Sequence, residues 1–245
     1  MHTPKFLLIS FLFAIAAQAQ NTEGFETNVD AGFTLTDGNS ETTLLTLGAE
    51  SRNNTDEREF SILANYAYGQ TTSTLEDGSK EDTTNLDKAK LAFQANWLLS
   101  ERAYIFANLT AEKDEIAKID HRIIAGPGFG YYFLRDETHT LSTETSVVYV
   151  IEDTGNDDED FAAFRFKQEY RRNFENGSRI WQSVELVSEF ADTENYFMNA
   201  EIGVESTLTS RMALRLVAKN QYNNEPDAGI ERNDFTLISG ISVSL

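Results

Sequence analysis

The sequence predicts an all-β chain folded as a transmembrane antiparallel up-and-down β-barrel of about 12 strands, preceded by a cleaved signal peptide. Three observations carry that prediction. Runs of about ten residues in which every second side chain is apolar recur twelve times after residue 20. A period of two marks a strand, whose side chains alternate between faces. Aromatic residues gather at the ends of the apolar faces and aliphatic ones in their middles, which is the order of two interfaces around hydrocarbon. Connections between runs alternate short and long, as periplasmic turns and outer loops do.

Residues 1–19 stand apart from the sheet. Lys5 precedes an apolar run from Phe6 to Ala17, and Ala17-Gln18-Ala19 is a small-x-small cleavage site. A charged start, a short apolar stretch and such a site make a secretory signal that is removed on export. A retained anchor would need a longer span. The barrel domain is expected over residues 20–245. The chain has no cysteine, so an exported fold must hold without disulfides, and no lipidated N-terminal Cys is available.

The first run sets the rule: Phe25, Thr27, Val29, Ala31, Phe33 and Leu35 share one face, and Glu26, Asn28, Asp30, Gly32, Thr34 and Thr36 the other. An Asp37-Gly38-Asn39-Ser40 hairpin turn, whose residues tolerate positive φ, leads to a second run carrying Leu45, Leu47 and Ala49. The next four run from Phe60 to Tyr68, Ala89 to Trp97, Ala103 to Ala111 and Ile123 to Phe133. The second half runs from Leu141 to Tyr149, Phe164 to Tyr170, Ile180 to Leu186, Tyr196 to Val204, Met212 to Ala218 and Phe235 to Leu245. Gln168 and Gln182 interrupt the apolar face. One misread hairpin would shift the strand count by about two.

Alternation leaves open whether the apolar face looks inward, as in a soluble periplasmic ligand-binding barrel, or outward to lipid. Trp97, Tyr131, Phe133, Tyr149, Tyr170 and Phe235 lie near run ends, while Val29, Leu47, Leu91, Ile105, Ile202 and Leu216 fill the middles. That order fits a bilayer, and an apolar lumen in so wide a barrel would be a large dry void. The long connections, expected at 71–84, 114–120, 151–161 and 223–233, all share one parity. They are expected outside the cell, with both chain ends in the periplasm.

There are 20 Lys and Arg against 40 Asp and Glu. Removing Lys5 with the leader leaves 19 basic groups and a net charge of −21, which argues against nucleic acid as a partner. Outer-membrane lipid and lipopolysaccharide are the expected surroundings of a monomer, and the barrel-insertion machinery is expected to read the final strand. The polar face carries both signs. Lys88, Lys90, Arg122, Arg165, Lys167, Arg171, Arg215 and Lys219 stand against Glu144, Glu185 and Glu201 among others. Such charges either line an aqueous pore or pair across it and fill it. Arg165, Lys167 and Arg171 on one strand form a candidate anion-selective stripe, which Glu169 and Glu185 oppose.

Acidic connections offer weak divalent-cation ligands in Asp157, Asp158 and Asp160. The spacing lacks the ligand-and-glycine pattern of a calcium loop, and a solvated acidic loop accounts for it as well. No cofactor motif is present. Catalysis has little to build on: His139 and Ser142 are an odd number of residues apart and so face opposite ways. A membrane-embedded hydrolase would rest on His121 and nearby carboxylates.

Several stretches resemble a bacterial outer-membrane family of unknown function described as salt-induced. They are Leu35-Thr36-Asp37-Gly38-Asn39-Ser40-Glu41-Thr42, Leu99-Ser100-Glu101-Arg102-Ala103-Tyr104, Asp120-His121-Arg122 and Gly126-Pro127-Gly128-Phe129-Gly130-Tyr131. The resemblance implies an outer-membrane barrel expressed under osmotic or envelope stress, and names no substrate. Gly38 and Asn39 are explained as turn residues. Pro127 departs from the family pattern and predicts a bulge among its flanking glycines.

Overall fold

The computed structural model describes residues 24–36, 40–74, 79–154, 158–227 and 229–244. The leader, the Asp37, Gly38 and Asn39 turn, Asp157 and Leu245 lie outside the described residues. Each of the twelve expected runs is a strand: β1 (Glu26–Thr36), β2 (Ser40–Asn54), β3 (Arg58–Thr74), β4 (Lys80–Leu98), β5 (Ala103–Asp114), β6 (Ile119–Arg135), β7 (His139–Asp153), β8 (Asp158–Asn173), β9 (Arg179–Glu189), β10 (Tyr196–Thr207), β11 (Met212–Asn223) and β12 (Asn233–Ser244). Neighbours in sequence pair antiparallel, and β12 returns to β1 to close the barrel.

β5 shows why the chain folds this way. Ile105 and Leu109 are exposed on its outer face, while Tyr104, Phe106, Asn108 and Glu112, one residue out of phase, are buried on the lumen side. Strict alternation lets one strand meet an apolar and a polar environment at once. Around the outside, Ile105, Val147, Ile202, Leu214 and Leu216 form an aliphatic belt, with Trp97, Phe133, Tyr149 and Phe235 nearer the strand ends. Twelve strands about 4.8 Å apart and tilted about 40° close on a backbone diameter of about 24 Å.

At one end the connections are tight. Thr55 N–H donates to Arg58 O at 2.8 Å, Asp136 N–H to His139 O at 2.9 Å and Leu208 N–H to Met212 O at 2.9 Å. The Asp136 carboxylate accepts from the backbone N–H groups of His139 and Thr138, which hold its carboxyl below the usual range. At the other end the strands run on past the belt. Residues 71–84, expected as a loop, are mostly ladder, with Thr71 opposite Thr83 and Ser73 opposite Glu81. Threonine-rich strand suits a pleated backbone, and a polar pair standing in water needs no apolar face, so alternation could not announce it.

The bulge expected at Pro127 is absent. Ala107 stays opposite Pro127 on the β5 side. On the β7 side Ala125 opposite Tyr149 and Gly128 opposite Ser146 keep one register. Pro127 lacks the N–H for a ladder bond, and that loss needs no inserted residue. Register instead shifts at Gly69/Gln70, Glu112/Asp114 and Tyr132/Leu134. The flanking glycines serve packing: a Cβ on Gly128 would stand 2.3 Å from Phe106 Cζ, and one on Gly130 2.1 Å from Tyr104 Cζ. Two lumen-facing rings of β5 lie across β6 there.

Candidate functional site

The candidate site is the lumen, because the polar faces of all twelve strands converge on it. Contacts between strands that are not neighbours prove which way these side chains point. Lys88 Nζ donates to Gln221 Oε1 at 2.9 Å, joining β4 to β11. Those strands stand five apart around the ring. The two side chains together reach only about 12 Å, well short of a round section of about 24 Å. The barrel is therefore flattened at that level. Lys88 is also paired with Asp114 at 3.0 Å.

Below this bridge the charges fall into sets. Arg122 binds Glu112 at 3.1 Å and Glu152 through Nη2 at 2.8 Å, and its guanidinium lies 4.5 Å from the Phe197 ring. Lys90 stands 3.8 Å from Glu112. Deeper in, Arg165 binds Glu185 at 2.6 Å and Glu144 at 3.2 Å. Glu144 also accepts from the Tyr104 hydroxyl at 3.1 Å and from Gln94 Nε2 at 2.6 Å. These two arginines are almost fully buried, where an unpaired charge would be very costly. On the far side Arg215 binds Asp30 at 2.7 Å, Arg179 binds Glu205 at 2.9 Å and Lys219 lies 3.3 Å from Glu201. Trp181 Nε1 donates to Glu201 at 2.6 Å. Near the tight-turn end Glu59 accepts from Tyr132 and Arg135, each at 2.6 Å.

All the lumen candidates read from the sequence stand on this one face, and most of them are paired, which is one of the two arrangements the sequence left open. In the expected anion stripe, Arg165 is matched by two carboxylates and Lys167 by Glu169 at 2.9 Å. Arg171 alone of the three has no ion pair among the described residues. Sequence reasoning also missed an apolar cluster inside the barrel: Ile124, Val148, Val150, Ala163, Val187 and Phe197, with Phe161 against it. Its signal is local. Val147-Val148-Tyr149-Val150-Ile151 is apolar at every position, the mark of a strand apolar on both faces.

At the wide-connection end an open pocket is lined by Lys88, Asp114, Ile119, Arg122, Phe197 and Gln221, with Pro226 and Ile230 from the β11–β12 connection. On the rim, Asp158 and Asp160 belong to β8, and Asp160 accepts a hydrogen bond from Tyr149. His121 Nδ1 lies 3.6 Å from Asp153. No group of three or more His, Cys, Asp and Glu poised to hold a metal occurs among the described residues. Ser142 is buried on the lumen face of β7, opposite to the face of His139.

A family model described as "Protein of unknown function, DUF481" matches residues 29–245. The chain belongs to that family. The match takes in nearly the whole barrel, from within β1 to the C-terminus. No curated protein matches the DUF481 chain in sequence. Solved structures share its fold, two of them at a TM-score above 0.5. The NanC porin does so at 7% identity and a TM-score of 0.52, over 90% of this chain and 100% of that one. The COG4313 outer membrane channel from Pseudomonas putida F1 does so at 12% identity and a TM-score of 0.52, over 90% and 95% respectively. The DUF481 chain thus has the fold of outer-membrane porins and channels.

Proposed function

We propose that this DUF481 protein is a monomeric outer-membrane barrel of a Gram-negative bacterium, exported through a cleaved leader, that passes small polar solutes through a narrow lumen. The observation that carries the reading is the sidedness of that lumen. Toward β6–β10 it is filled by the apolar cluster and by Arg122 and Arg165 with their carboxylates. On the facing wall the ion pairs are wetter: Arg215 with Asp30, Arg52 with Glu50 and Lys219 with Glu201 each keep a quarter or more of their side-chain surface exposed, against less than a tenth for Arg122, Glu112, Arg165 and Glu144. A packed interior needs complementary side chains from both walls. Water-exposed charges on one of them mark a water path instead. Because most of the charges are already paired, selectivity between anions and cations should be weak.

The aliphatic belt and its aromatic edges support membrane placement, with lipid and lipopolysaccharide around it and the insertion machinery acting on the final strand. The tight turns then face the periplasm and the long hairpins the exterior. Induction by salt, implied by the family resemblance, is read from protein level after an osmotic step. The channel reading is tested in planar bilayers. Purified protein should give stepwise conductance, and Lys88→Ala, which removes the bridge to Gln221, should raise the unit step. A silent bilayer from correctly folded protein would overturn the channel in favour of a structural envelope component.

A further inference from the structure

The weakest seam of the barrel is its closure. Among the described residues β1 and β12 share four residue pairs, from Asn28 opposite Ser244 to Ala31 opposite Ile241, whereas the next shortest ladder, β9 with β10, has ten. Continuing the register would set Phe33 opposite Ser239 and Thr34 opposite Ile238. Among the described residues neither pair forms. Both strands nevertheless keep their ladders on the other side, with Thr34 opposite Leu44 and Ile238 opposite Val217. The split begins at two glycines in close approach: a Cβ on Gly32 would stand 2.6 Å from Ser239 O, and one on Gly240 2.5 Å from Ala31 O. Beyond them Phe33, Phe235 and Leu237 are exposed on the outer face. Unpaired backbone edges facing lipid are costly unless they border a path that something fills.

The lumen wall beside the split is apolar, unlike its surroundings. One register row runs from Leu44, past Thr34 and the split, through Ile238, Val217 and Gly203 to Trp181. Gly203 gives the indole its place, since a Cβ there would stand 2.0 Å from Trp181 Cζ2. At that end of the row the Arg215 and Arg179 guanidiniums lie 4.8 Å and 5.6 Å from the Trp181 ring. Among the described residues each makes one ion pair, and the Nε of each is without a hydrogen-bond partner. A guanidinium has five N–H donors, so both keep donors for a further anion. From split to indole is about 17 Å, the length of an alkyl chain of about 13 carbons.

We propose that the split between β1 and β12 is a lateral portal for a single-chain alkyl carboxylate moving between the outer leaflet and the lumen. Its chain enters between Leu44 and Ile238, passes over the buried Val217, and its carboxylate is received by Arg215 and Arg179 beside Trp181. The portal uses the barrel and membrane placement proposed above but not ion conduction, which the test therefore reads separately.

The chain has two tryptophans, so Trp97→Phe leaves Trp181 as the sole fluorophore. In phosphatidylcholine vesicles, nitroxide-labelled stearic acid should quench Trp181 several-fold more than nitroxide-labelled phosphatidylcholine, which stays in the bilayer. The chain has no cysteine, so Phe33→Cys with Ser239→Cys gives a single disulfide across the split. Oxidation should remove more than half of the quenching, reduction should restore it, and single-channel conductance should hold. Val217→Asn, which leaves the split untouched, should weaken quenching as well, with folding of each variant checked by its heat-dependent gel shift. Equal quenching by the two labels, or quenching indifferent to both the disulfide and Val217→Asn, would overturn the portal.

Discussion

Glu144 is the residue around which the middle of the lumen is arranged. Its carboxylate meets Arg165, Tyr104 and Gln94, which come from three different strands. That it is charged and inward was legible from alternation in β7. Its partners were not, because they depend on which strands curve round to face one another. Arg165→Ala leaves Glu144 buried without its cation and should cost about 3–5 kcal/mol, read as a lower urea midpoint for refolding into lipid vesicles. The Arg165-Lys167-Arg171 stripe and its opponents Glu169 and Glu185 were legible in the sequence, while Glu144 as the second carboxylate on Arg165 was not. A strand shows its own charges, and only its register with the neighbouring strands shows what stands beside them.

At the scale of the element, each strand declares two faces, and β7 is the instructive case. Its outer residues from Leu141 to Ile151 follow the rule, yet Val148 and Val150 on the other face are buried and apolar. Val147 and Val148 look alike in sequence and have opposite surroundings. Val147 is exposed at the middle of the belt, so Val147→Arg should cost about 2–4 kcal/mol in the bilayer. Refolding yield into vesicles checks this. β6 teaches the complementary lesson. Pro127 was legible as a missing donor, but the glycines on either side exist for rings belonging to β5, which no property of β6 reveals. The extensions of β3 and β4 beyond the belt escaped for a third reason, since a strand with water on both faces has no hydrophobic period to read.

At the scale of the molecule, an even number of strands sends the start of β1 and the end of β12 to the same end, that of the tight turns. On the proposed orientation this end is periplasmic. The chain should need detergent for extraction and should migrate faster on a gel unheated than boiled. Epitopes placed before β1 and after β12 should react in cells only after the outer membrane is permeabilised. Recovery in the soluble periplasmic fraction would remove the membrane placement and with it the channel reading.

The sequence by itself determined the strand count, the outward apolar face and the inward charges, because all three follow from a period of two along a single strand. Tertiary structure decided the rest. Which arginine meets which carboxylate, how far Lys88 crosses toward Gln221, and where the seam between the first and last strands comes apart all depend on residues far apart in the chain. A barrel sets such residues side by side through closure and register, and these belong to the whole ring.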